Sequence, residues 1–214
     1  MNTIHSTDST DSTDTFHTSE TAGAPLAIGV LVGSLSSTSI NRTLARSLAG
    51  LIGERARVAE IEIGDLPLYN ADLDDTPPEP VRRFKREVLS VDGLIVATPE
   101  YNRTMSAVLK NAFEWGSRPY GESIWTGIPA GLVGASPGAI GTAMAQQHVR
   151  NVMSFLDMPT LAQPEVYLQF RPEVFTDDGR ITDAGTRGFL AEWADRFIDH
   201  VRLHTTAGLV AAGS

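Results

Sequence analysis

Gly93-Leu-Ile-Val-Ala-Thr-Pro-Glu-Tyr-Asn-Arg-Thr-Met-Ser-Ala-Val-Leu-Lys-Asn-Ala-Phe-Glu-Trp115 holds the key to the fold. Its first part, Gly93 to Thr98, is an apolar run of buried-strand length, and Pro99 ends it. A polar and aromatic turn follows. A helix then begins near Ser106, with an apolar face expected at Val108, Ala112 and Trp115. Strand, turn and helix in that order form half of a βαβ unit, and open α/β sheets bind their ligands at such strand ends.

The same pattern recurs on both sides. Leu26 to Val32 is a continuous apolar run, Gly33 to Asn41 is rich in hydroxyls, and Arg42 to Ile52 reads as a helix. Val58 to Ile63 alternates apolar groups with Glu60 and Glu62, as an edge strand does. A long acidic and proline-rich loop reaches Pro80, with Tyr69 able to flank a ligand, and an amphipathic helix follows from Glu79 to Val91 on Val81, Phe84 and Val88. Gly131 to Ala135 is a further strand, ending at Ser136-Pro-Gly-Ala-Ile-Gly141 before a helix over 142–156. Glu165 to Gln169 supplies a fifth strand, 177–180 a turn, and Ala184 to Leu203 a last helix carrying Phe189, Trp193, Phe197 and Val201 on one face.

Five βα units predict an α/β doubly wound, five-stranded parallel sheet of order 2-1-3-4-5 with helices on both faces. In that order strands 1, 3 and 4 are neighbours. Their C-terminal loops, Gly33–Asn41, Pro99–Arg103 and Ser136–Gly141, meet on one rim. The first sits at a helix N-terminus, where unpaired amides and the helix dipole favour an anion, so Ser34, Ser36, Ser39 and Asn41 can cradle a phosphate. A plain Ser/Asn N-cap accounts for the same residues. Neither Gly-x-Gly-x-x-Gly nor Gly-Lys-Ser/Thr is present, so neither nucleotide fingerprint applies.

Composition narrows the chemistry. With 214 residues the chain fits one domain. Residues 1–24 repeat Ser-Thr-Asp three times from Ser6 to Asp14 and are too polar to order themselves; 25–204 form the domain, and 205–214 read as a flexible tail. The start lacks the apolar core of an export signal, which makes the cytoplasm the default location. A net charge of −9 argues against nucleic acid and anionic membrane as partners, and no apolar run reaches the roughly 18 residues of a membrane span. Without cysteine there is no thiolate nucleophile or Cys-ligated metal, so redox chemistry requires a bound cofactor. His200 and His204, four apart, lack a third ligand and read as helix-end histidines. His5 and His17 belong to the tail, and the Arg82, Arg83, Lys85, Arg86 cluster reads as a solvated helix face.

Together these motifs resemble the NAD(P)H-dependent FMN reductases of flavodoxin-like fold, whose relatives include quinone, azo-dye and chromate reductases. Gly33-Ser34-x-x-x-x-Ser39-x-Asn41-Arg42 is similar to that family's phosphate loop. Pro99-Glu100-Tyr101-Asn102, with Leu109-Lys110-Asn111-Ala112 and Trp115, is similar to its flavin-ring segment, and Ser136-Pro137-Gly138-x-x-Gly141 to its third loop. Asp65-Leu-Pro-Leu-Tyr69 matches a segment after the second strand.

The resemblance implies noncovalent FMN, with Ser34, Ser39 and Asn41 at its phosphate beside Gly33 and Ser36. Pro99, Glu100, Tyr101, Asn102 and Arg103 lie at its ring, mainly through backbone groups, while Ser136 and Gly138 close the site. It implies hydride transfer from NADPH or NADH to the flavin, then reduction of a small acceptor in the same pocket: a quinone, free flavin, azo compound or metal oxyanion. No protein acid, nucleophile or metal ligand is expected. A homodimer or homotetramer is implied as well. The other reading is a flavodoxin-type FMN electron carrier without NAD(P)H turnover.

Several residues depart from the pattern. Ser36 stands where many relatives have Arg, Met144 where some have Arg, and Arg103 where relatives often carry another residue type. Arg103 is a candidate for the NADPH phosphate or an anionic acceptor, or else a solvated loop Arg. Lys110 and Asn111 are expected to make helix-surface and capping contacts outside the site.

Overall fold

The computed structural model describes residues 25–176 and 178–212, with side chains through 205. The Ser-Thr-Asp segment lies outside the described residues. Five strands, β1 (Leu26–Val32), β2 (Ala56–Glu60), β3 (Gly93–Ala97), β4 (Ala130–Ser136) and β5 (Val166–Gln169), pair in parallel in the order β2-β1-β3-β4-β5. This is the flavodoxin-like sheet the pattern predicts.

The helices are α1 (Ile40–Ile52), α2 (Glu79–Leu89), α3 (Ala107–Gly116), α4 (Ala143–Phe155) and α5 (Ala184–Ala212). Period-two alternation in β1, β3 and β4 sends side chains to two cores. Leu31, Leu94, Val96 and Leu132 meet Phe84, Leu109, Trp115 and Val149 of α2, α3 and α4 on one face. Ile28, Val30, Ile95 and Val133 meet Leu44, Leu48, Trp193 and Phe197 of α1 and α5 on the other.

Register brings the strand ends level. Val32 stands opposite Ala97, and Ala97 opposite Val133, so the loops after β1, β3 and β4 leave one rim. Gly33 continues the ladder through its amide to the Ala97 carbonyl at 2.9 Å. A Cβ there would lie 2.8 Å from Pro99 Cδ and 3.0 Å from the Ser106 hydroxyl, so only glycine lets the first two loops approach this closely.

Four boundaries or faces differ from expectation. β2 begins and ends earlier than Val58–Ile63: its ladder with β1 closes at Val30 opposite Glu60, although β1 itself continues to Val32. Ile61 makes one last bond to the Val30 carbonyl, and Ile61 and Ile63 bury into the core beneath α2 and α3. On α5 the buried stripe is Leu190, Trp193, Ala194, Phe197, Ile198 and Val201, and Phe189 is exposed. That stripe follows the 3–4 spacing of a helix packed broadly on a sheet. α5 also runs past the expected end at Leu203, so the expected tail from 205 has helical backbone as far as Ala212. On α3 Ala112 and Trp115 are buried as expected, joined by Leu109, while Val108 packs at the margin.

The cationic stretch of α2 is less free than a solvated face. Arg82 and Arg86 share Glu79, Arg83 bonds Glu87, Asp65 and the Glu62 carbonyl, and Lys85 bonds the Arg118 carbonyl. His200 Nε2 donates to the Pro159 carbonyl and burial holds its imidazole below the ordinary histidine range, while His204 Nδ1 donates to the His200 carbonyl.

Candidate functional site

The loops after β1, β3 and β4 enclose a cleft of about 200 Å³. Ser34, Ser36, Ser39, Asn41, Pro99, Glu100, Tyr101 and Ser136, all expected at the site, line it together with Thr38, Ile40, Ala135 and Pro137. Two larger concavities, one between α1 and the 178–181 segment and one between α3 and α4, touch none of these loops.

The first wall is built on the start of α1. Ser39 is its N-cap, with extended backbone and a hydroxyl that accepts from the Arg42 amide. Ser36 and Thr38 pair their hydroxyls at 3.1 Å, and the Thr38 amide donates to Ser36 Oγ. The first-turn amides of Ile40 and Asn41 have no acceptor four residues back in the helix. Hydroxyls and open amides at a helix N-terminus suit a phosphate.

Asn41 departs from the expected role. Its side-chain Nδ2 donates to the Ala135 carbonyl at 3.0 Å, and its Oδ1 accepts from the Ala135 amide at 2.9 Å. Both halves of the amide are spent stapling α1 to β4, leaving only its backbone N–H for a ligand. Arg42, quoted in the sequence motif but not counted in the site, donates to the carbonyls of Ser36 at 2.8 Å and Ser34 at 3.3 Å.

The second wall is a two-residue turn. Tyr101 and Thr104 exchange backbone bonds of 3.0 and 3.1 Å, and the central residues Asn102 and Arg103 have φ of 51° and 67°. Positive φ at both central positions is the primed turn of tight hairpins, comfortable for Asn and strained for Arg. Asn102 and Arg103 therefore sit at the turn's tip, outside the cleft wall, with the Arg103 side chain 70 % exposed. Tyr101 leans back across the cleft, its hydroxyl 3.4 Å from Ser34 Oγ.

Among the described residues Glu100 is the only charged one lining the cleft, and its carboxylate is engaged elsewhere. One oxygen accepts from the amides of Met144 and Ala145 at 3.1 and 3.3 Å, and the other faces Arg103 at 3.4 Å. Thr142, the N-cap position of α4, contributes no side-chain cap, so Glu100 caps that helix from a distant loop. Thr104 adds a second tie to α4, a 2.7 Å bond to His148 Nδ1. These bonds hold the Glu100 carboxylate at the start of α4.

The third wall ends the cleft at Ser136 and Pro137. Gly138, expected at the site, lies at the outer lip and gives its amide to Ser136 Oγ at 2.9 Å. Lys110 is on the helix surface, paired with Glu114, but Asn111 is buried. Its amide bonds the Pro67 carbonyl and accepts from the Tyr69 amide, and Trp115 Nε1 also donates to Pro67 O. These bonds fix the Leu66–Tyr69 loop against α3. Tyr69 itself packs edge-on to Trp115 at 5.1 Å.

Residues 26–173 match the family described as NADPH-dependent FMN reductase, which is most of the chain. The chain belongs to this family. It is 44% identical over 177 residues to a 2-hydroxy-1,4-benzoquinone reductase of a Burkholderia species, covering 83% of this chain and 97% of that one. It is 45% identical over 179 residues to a quinone reductase of Pseudomonas putida, covering 83% and 96%. Among solved structures it resembles the flavoenzyme NAD(P)H:(acceptor) oxidoreductase of Paracoccus denitrificans. The TM-score there is 0.81 at 39% identity, over 84% of this chain and 98% of that one. As an FMN reductase family member it is an NAD(P)H-dependent oxidoreductase whose cofactor is FMN. The hydroxyls and open amides of the first wall fit the phosphate of that cofactor.

Proposed function

We propose that this FMN reductase family member passes reducing equivalents from NAD(P)H to a quinone-type acceptor at the strand-end cleft. One observation carries the reading. The three loops close on a single cleft in a chain 44% identical, over 83% of its length, to a 2-hydroxy-1,4-benzoquinone reductase. Bound FMN supplies the hydride chemistry. The protein binds and orients it. Ser34, Ser36, Thr38 and Ser39, with the first-turn amides of α1, hold the phosphate. The backbone of Pro99 to Tyr101 faces the ring with Asn102 at its edge, Tyr101 flanks the nicotinamide and acceptor position, and Ser136 with Gly138 bounds the far side.

Arg103, exposed at the turn tip, is the proposed contact for the NADPH phosphate or an anionic acceptor; unchanged NADPH and NADH constants in Arg103→Ala overturn that role. A homodimer is the proposed assembly, supported by Phe155, which is 87% exposed beside the α3–α4 concavity. The cytoplasm, where NAD(P)H is supplied, is the proposed location.

The test is anaerobic. FMN-loaded protein is mixed with NADPH or NADH, then with p-benzoquinone. Rapid bleaching of the flavin band followed by its return on quinone addition is the expected result. No bleaching by either nucleotide overturns it in favour of a flavodoxin-type electron carrier.

A further inference from the structure

Among the described residues, the cleft proposed for the FMN phosphate is lined by no cationic side chain, and Glu100, its one charged residue there, is an acid. A phosphate monoester carries about −1.5 to −2 at neutral pH, so its stabilisation falls to backbone amides, hydroxyls and the helix dipole. Amides serve only if they point inward.

Arg42 explains how they do. It stands behind the loop, on the β2 side, away from the walls made by Pro99 and Ser136. Its Nη1 donates to Ser36 O at 2.8 Å and its Nη2 to Ser34 O at 3.3 Å. Its Nε lies 3.0 Å from both oxygens of Glu60, the last residue of β2, and its Nη2 is 3.0 Å from Oε1. Arg42 is the less exposed partner, at 21% against 38%. In a trans peptide the carbonyl of one residue and the amide of the next point in opposite directions. Gathering the Ser34 and Ser36 carbonyls outward therefore turns the amides of Leu35 and Ser37 the other way, toward the cleft. Neither amide meets an acceptor among the described residues, whereas the neighbouring Thr38 and Ser39 amides are spent on Ser36. Two free amides at alternate positions can converge on one anion beside the helix N-terminus.

We propose that Arg42, locked in place by Glu60, is the positioning residue that sets the first loop in its phosphate-binding form, aiming the Leu35 and Ser37 amides at the FMN phosphate. The inference rests on the phosphate lying at the first loop. Arg42 acts through geometry, because Glu60 neutralises its charge and its planar fork spans two carbonyls and a carboxylate together. A lysine, with a single point charge, does not reproduce that arrangement.

The experiment is flavin titration of apoprotein, followed by quenching of flavin fluorescence, with FMN and with riboflavin as the phosphate-free control. Wild type binds FMN more tightly than riboflavin. In Arg42→Lys the FMN Kd rises about tenfold, the scale of a charge-assisted hydrogen bond, while riboflavin binding changes less than about twofold. In Glu60→Ala the FMN Kd rises about threefold, because the fork loses its lock. The sign is decisive: if Arg42 acted by charge, Glu60→Ala would tighten FMN and Arg42→Lys would preserve it, and either result overturns the inference. An unchanged FMN-to-riboflavin ratio in Arg42→Lys does so too. If wild type binds both flavins equally, the phosphate placement itself falls and this inference with it.

Discussion

The loop after β1 and the turn after β3 form two walls of one cleft, but they are held in different ways. The first is organised mostly by its own helix: Ser39 caps α1 and Arg42 gathers two loop carbonyls, with ties to β2 through Glu60, to β3 through the Gly33 amide and to β4 through the Asn41 staple. The second is organised from across the sheet. Glu100 holds the N-terminus of α4 and Thr104 bonds His148, each over 44 residues of sequence. Its tip carries two positive-φ residues, where the first loop uses an ordinary N-cap. On the proposed FMN placement, phosphate binding would draw mainly on a helix start, whereas ring binding would depend on tertiary anchoring.

Substitutions can break this contrast, and the largest effect is expected at Asn41. Asn41→Asp keeps an acceptor for the Ala135 amide but sets a carboxylate against the Ala135 carbonyl and beside the phosphate. Stability measured by urea unfolding should fall by about 3 kcal/mol, and FMN affinity by about a hundredfold. Normal FMN binding in this variant would remove the phosphate from the first wall. Glu100→Ala should cost about 1–2 kcal/mol of thermal stability by uncapping α4. It should alter FMN and riboflavin binding equally, since it acts on the ring side; a loss confined to FMN would contradict the division between the walls. Glu100→Gln, which keeps an acceptor, should recover about half of the stability loss. The smallest effect is expected at the tip. Arg103→Gly relieves a left-handed arginine and should raise stability by about 0.5 kcal/mol after the entropy of the unfolded glycine is counted. A rise in the NADPH constant alone, with NADH unchanged, would separate the turn's strain from its contact.

The same contrast explains what was legible in the sequence. The five βα units, the sheet order and the three loops follow from apolar runs broken by Gly, Ser and Pro, signals that are local. β2 was shifted because its alternation at Ile61 and Ile63 reflects burial rather than pairing, and a one-sequence pattern does not separate the two. Phe189 fell on the wrong face of α5 because either of two adjacent apolar residues could begin the stripe, and packing chose Leu190. At the site, Asn41 lines the cleft as expected, but its side-chain bonds to Ala135 are not legible in the sequence, since that partner is 94 residues away. Asn111 was placed at the surface for the same reason; its partners are the Pro67 and Tyr69 backbone. Thr38, inside a run of hydroxyls, was signalled by composition alone.

β3 is flanked by strands on both sides, and all five of its residues, Gly93 to Ala97, are buried. In the language of hydrogen exchange, its amides open only with global unfolding, while the turn beginning at Pro99 sits two residues beyond its end and can open locally. Flavin binding should then slow exchange at 101–104 and leave β3 unchanged, so that the protection a ligand adds is read at the turn and not on the strand that carries it.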